Sequence, residues 1–136
     1  MRPLLTFSFV DWLAAQDTKQ KKLIEFGSGE STIYFSKKFQ KVITYEDDDY
    51  YAQIINSHNL HNVELRIFSH GFYKNDIESL INADYILIDI HPRETNNRLY
   101  IAEVLIEQVN YQNTLILDNS NLNADTYFYL KTKYKT

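Results

Sequence analysis

The chain has 136 residues, a hydrophobic fraction of 44%, a charged fraction of 24% and a formal net charge of -4. That length suits one domain around a single buried core, and the negative balance argues against a nucleic-acid partner, which favours a basic surface. With no cysteine, disulfides, thiolate metal sites and cysteine nucleophiles are excluded.

No apolar run approaches the roughly 20 residues of a membrane span. The opening "MRPLLTFSFVDW" has no small-residue cleavage site after its short apolar stretch, so no signal peptide is expected and the expected compartment is the cytoplasm, without a membrane partner. A helix from about Phe7 to Ala15 opens the chain. Short apolar runs follow at Lys22–Phe26, Val42–Tyr45, Val63–Phe68, Tyr85–Ile90 and Thr114–Leu117, the pattern of strands buried on both faces. Helical spacing fills the gaps: Thr32, Phe35 and Phe39, then Tyr51, Ile54 and Ile55, then Ile77, Leu80 and Ile81, then Leu99, Ala102, Ile106 and Val109. A last helix is expected from about Asp125 to Tyr134. Strand and helix alternate, so the fold class is α/β: a doubly wound parallel sheet of about five strands with helices on both faces.

Ligands of such sheets bind beyond the carboxyl ends of the strands, where strand order reverses. The residues just after each run are therefore the functional candidates: Gly27 to Ser31, Glu46 to Asp48, Ser69 to Gly71, Asp89 to Arg93 and Asp118 to Asn121. In "LIEFGSGEST", Gly27 and Gly29 allow a tight turn and a close approach of backbone to ligand. Thr32 stands where a dinucleotide-binding turn wants its third glycine. A plain strand-to-helix turn is the alternative reading. Glu46 lies 19 residues after Gly27, the spacing at which a carboxylate reaches the two hydroxyls of a ribose. Asp47 shares that rim, while Asp48 and Asp49 read as helix-capping acids.

"IEFGSGEST", "VITYEDD", "ADYILIDIHPR" and "TLILDNSN" together resemble the class I S-adenosylmethionine-dependent methyltransferases, over about Lys22 to Asn121. The resemblance implies a Rossmann-like fold with S-adenosylmethionine as cofactor. Glu25, Gly27, Ser28 and Gly29 would lie beside its methionine part, Glu46 on the ribose, and Ser69 or His70 at the adenine; Ser31, Asp47 and Asp89 are further candidates to bind the cofactor. The motifs say little about the acceptor; a methyltransferase acting on a small molecule, with oxygen as the accepting atom, is the leading expectation. A non-catalytic domain of the same fold and an NAD-dependent oxidoreductase are the alternatives.

Methyl transfer needs alignment of the acceptor and removal of its proton, for which Asp89 and His91 are the candidates. Arg93 either pairs with an acceptor carboxylate or is solvated. Asp89, Asp118 and Asn119 end neighbouring strands and offer oxygen ligands to a hard cation such as Mg²⁺, as in the catechol-type branch of the family; strand-end capping by Asp118 and Asn119 is the competing reading. Phe9 and Trp12 are candidates to cover an acceptor, and His58 and His61 read as a surface turn. The family's C-terminal antiparallel hairpin has no apolar run here, which leaves "TLIL" as a sheet edge. A homo-oligomer joined along that edge is expected.

Overall fold

Five apolar runs form strands in the computed structural model, which describes residues 7–69, 71–90 and 97–117. The strands are β1 (Lys22–Phe26), β2 (Lys41–Glu46), β3 (Val63–Ile67), β4 (Tyr85–Ile88) and β5 (Thr114–Leu117). Between and before them run α1 (Phe7–Ala14), α2 (Glu30–Ser36), α3 (Asp49–Ser57), α4 (Lys74–Asn82) and α5 (Asn97–Val104). All pairings are parallel and the order is β3-β2-β1-β4-β5, so the chain reverses direction across the sheet between β1 and β4. The expected helix after residue 124 lies outside the described residues.

Side chains alternate between the two faces. Ile24, Phe26, Ile43, Tyr45, Ile86 and Ile88 point to one face and form a core with Leu80 of α4 and Ile101 of α5. Leu23, Val42 and Leu87 point to the other and pack on Leu13 of α1 and Phe35 of α2. Burial of each such side chain contributes roughly 1.5–3 kcal/mol, and it fixes the register, because a one-residue slip would turn every side chain to the wrong face. Phe26 is paired with Tyr45 and with Ile88, and Ile88 with Leu117, so four strands end level with one another. Among the described residues β5 is the outer strand on its side of the sheet.

Two elements depart from the sequence pattern. The second helix ends at Ser36, and Phe39 reaches the core from the turn that follows, its amide bonded to Phe35 O at 2.9 Å. Beyond α5 the chain loosens into a π-helical segment, Leu105–Val109, which closes at Asn110 in the left-handed region (φ 51°). Tyr111 then turns inward, and its hydroxyl donates to Ala83 O at 3.0 Å.

The two ends of the sheet differ in charge. At the amino ends of β1 and β2, Lys22 and Lys41 open the strands and Lys19, Lys21 and Lys37 lie on the adjoining loops, all exposed; the loops are tied together by Gln40 N to Lys21 O (3.0 Å) and Thr18 Oγ1 to Lys38 O (2.6 Å). At the carboxyl ends, acids gather around the candidate site.

Candidate functional site

The bend after β1 depends on one of its two glycines. Gly27 has φ +102°, and a Cβ placed on it would lie 2.8 Å from the backbone oxygen of Asp89 and 2.9 Å from Ile90 Cα. A side chain is therefore both strained and obstructed there. Gly29 has extended backbone (φ 163°), and a Cβ on it would meet nothing within 4 Å. We expect Gly27→Ala to lower the unfolding free energy by about 2 kcal/mol or more, with Gly29→Ala within about 1 kcal/mol of wild type. Equal losses for the two in urea unfolding would contradict this assignment.

Beneath the bend lies Glu25, fully buried on the α2 side of the sheet. Its carboxylate accepts hydrogen bonds from Thr44 Oγ1 (3.0 Å), Ser31 Oγ (3.1 Å) and, closest of the three, Thr32 Oγ1. Burial pushes its carboxyl up from 4.5 to about 7, opposed by those three hydroxyl donors and assisted by the charge of Glu46. Thr32 also accepts the amide of Gly29 at 3.1 Å, so one buried hydroxyl joins the acid to the bend.

Glu46 ends β2 and faces the bend from the side. Its Oε1 accepts the Ser28 amide at 2.8 Å and the Ser28 hydroxyl at 2.7 Å. Its Oε2 accepts the amides of Asp47 and Asp48, both at 3.0 Å. Asp48 in turn caps α3 through Tyr50 N at 2.8 Å. Across the rim, Asp47 Oδ2 accepts from Asn97 Nδ2 at 3.1 Å, and Asp89 Oδ1 lies 3.5 Å from Nη2 of the buried Arg98, whose Nε donates to Ile90 O at 2.6 Å.

Along this rim opens a cleft of about 870 Å³, lined by Gly27, Ser28, Gly29, Ser31, Glu46, Asp47 and Asp89. That volume falls in the roughly 300–1,000 Å³ of small-molecule sites. The cleft also runs past Ile33 of α2 and Tyr51 and Ile54 of α3.

No protein-family model matches the sequence, and no curated protein does. Solved structures do match. A candidate methyltransferase from Streptococcus mutans, SMU.1697c, in complex with S-adenosylhomocysteine, superposes with a TM-score of 0.65 at 13% identity, over 100% of this chain and 85% of that one. The YcgJ protein of Bacillus subtilis gives 0.58 at 14% identity, over 81% of this chain and 49% of that one. Phosphoethanolamine N-methyltransferase 1 of Haemonchus contortus, in complex with phosphoethanolamine and S-adenosylhomocysteine, gives 0.57 at 13%, over 79% and 24%. The chain has the class I methyltransferase fold. It spans about half of the Bacillus protein and a quarter of the Haemonchus enzyme.

Within this methyltransferase fold the structure brings together Gly27, Ser28, Gly29, Ser31, Glu46, Asp47 and Asp89 on one cleft. Three expected residues lie off the cleft. Glu25 does not line the cleft but supports the bend from below, because its position in β1 turns it toward Thr32 and Thr44. Ser69 is exposed and also off the cleft: the chain turns inward at Phe68, which packs with Phe26, Phe72 and Tyr100. Trp12 does not cover the site, since its ring meets Tyr85, at the end of β4 opposite Asp89. His70, His91, Arg93, Asp118 and Asn119 lie outside the described residues. Among the described residues no group of three or more His, Cys, Asp or Glu side chains is placed to hold a metal ion, and no helix is long and apolar enough to cross a membrane.

The sequence reading missed Ser28 as a partner of Glu46, and Thr32 as more than a missing glycine. A hydroxyl residue at a position where helix–strand packing calls for glycine was the available signal for Thr32. Nothing local marked the bond between Ser28 and Glu46.

Proposed function

We propose that this domain binds S-adenosylmethionine and transfers its methyl group to a small-molecule acceptor at oxygen. The observation that carries the reading is the position of the Glu46 carboxylate, at the tip of β2, against Ser28 of the bend after β1 and on a cleft of suitable volume. A carboxylate there can accept from a hydroxyl of a ribose. The open space at Gly29 admits a ligand close to backbone.

S-adenosylmethionine supplies, when bound, a methyl group on a positively charged sulfur. Glu46, Asp47 and Asp89 line the cleft with carboxylates that suit such a cation. Asp89 is held in place by Arg98 and, with His91, is the candidate for taking the proton of a hydroxyl acceptor.

Calorimetry with S-adenosylmethionine, S-adenosylhomocysteine and NAD tests the reading. The first two are expected to bind and NAD is not. Glu46→Ala is expected to weaken S-adenosylhomocysteine about tenfold or more, the scale of a lost hydrogen bond to a charged group, while circular dichroism confirms that the variant folds. Failure of folded wild-type protein to bind either adenosyl ligand would overturn the reading.

A further inference from the structure

The carboxylate of Glu46 has no room for another donor as it stands. An ionised carboxylate offers about four acceptor positions, and four protein donors occupy them: the amides of Ser28, Asp47 and Asp48 and the hydroxyl of Ser28. Three of these belong to backbone at the strand ends and can leave only if the chain moves. The fourth, Ser28 Oγ at 2.7 Å, leaves by rotation about a single side-chain bond.

Resting on the reading of this cleft as an adenosine site, we propose that the Ser28 hydroxyl is a displaceable placeholder for a ribose hydroxyl, and that it sets the affinity of the site for ligands carrying the ribose diol. In the free protein Ser28 O–H donates to Glu46 Oε1. When the ligand enters, a ribose O–H takes that acceptor position, and Ser28 Oγ rotates away while its amide stays bonded. Each binding event therefore breaks one charge-assisted hydrogen bond to form another, and the net gain from the diol is smaller than the new contact alone. The opposing view is that Ser28 only braces the bend. In that case its removal would loosen the loop and weaken every ligand alike.

The test titrates wild type, Ser28→Ala and Ser28→Cys with S-adenosylhomocysteine, adenosine and 2′,3′-dideoxyadenosine. Loss of the competing donor is expected to tighten S-adenosylhomocysteine and adenosine about 5- to 20-fold in Ser28→Ala. Ser28→Cys, a near-isostere with a weak donor, is expected to move in the same direction and carries the test if the alanine variant does not fold. 2′,3′-Dideoxyadenosine, which has no diol to donate, should gain nothing from either substitution. Unchanged or weaker diol ligands, or an equal gain for the dideoxy compound, would overturn the placeholder role. Absence of S-adenosylhomocysteine binding to every form, wild type included, overturns the adenosine reading and the placeholder with it, and is distinct from the other results.

Discussion

Between pH 5 and pH 8 the wild-type protein is expected to lose roughly 2–3 kcal/mol of unfolding free energy relative to Glu25→Gln. Burial raises the carboxyl of Glu25 from 4.5 to about 7, against the pull of the Thr32, Thr44 and Ser31 hydroxyls and with some help from Glu46. The folded protein thus holds this proton more tightly than the unfolded chain does. The stability it contributes is complete below the unfolded value of 4.5 and is lost as the pH rises through about 7. A glutamine fits the same space, cannot titrate, and can both accept from and donate to the surrounding hydroxyls. Urea unfolding of both proteins across this range gives the difference directly. A difference that stays flat with pH would show that Glu25 is ionised throughout and that its three hydroxyl donors outweigh burial.

Asp76→Ala is expected to cost about 3 kcal/mol, equivalent to a melting temperature lower by roughly 10 °C. Asp76 lies in the first turn of α4 and is buried. Its Oδ1 accepts from Tyr45 Oη at 2.6 Å and from Arg66 Nη1 at 3.0 Å, and its Oδ2 accepts the Tyr73 amide at 2.8 Å. Removal leaves two donors short of a partner, the Tyr73 amide and the phenol of Tyr45, a residue that is 2% exposed, while Arg66 Nη1 keeps Tyr45 Oη (2.9 Å) and Ser79 Oγ (3.2 Å) as acceptors. Burial and the Asp76 contact hold that phenol well above its usual range, so Tyr45 remains a donor at any working pH. Arg66 keeps its ion pair with Glu64, which limits the loss. A loss under about 1 kcal/mol in calorimetric melting would place the network with ordinary exposed ion pairs.

The sheet was legible in the sequence because its central strands are continuous apolar runs. Tyr85–Ile90 was expected as a strand and Tyr85–Ile88 is one, with the Asp89 amide extending the ladder to Phe26 O at 2.9 Å. The rim followed from the strand order, and Gly27, Glu46 and Asp89 do meet there. What stayed hidden depends on distance in space between residues far apart in the chain. Tyr45 and Asp76 are 31 residues apart, and each alone reads as an ordinary strand aromatic or helix-capping acid. Glu25 carries the motif's acid, yet its place in β1 buries it against Thr32 and Thr44 and off the cleft lining, a distinction that spacing cannot make. The π-helical segment escaped because Leu99, Ala102, Ile106 and Val109 fit an α-helical stripe, whereas the structure buries Leu105 completely and leaves Ile106 half-exposed.

Lysines outnumber the acids Asp84 and Glu64 at the amino ends of the strands, and carboxylates gather at the opposite ends, so charge is distributed unevenly along the length of the sheet. A small cation diffusing nearby is drawn toward the glycine end and turned back from the opposite one before any contact forms. Such guidance reaches only about 10 Å at 0.1 M salt, so the domain sorts the direction of approach in dilute solution and becomes nearly indifferent to it in brine.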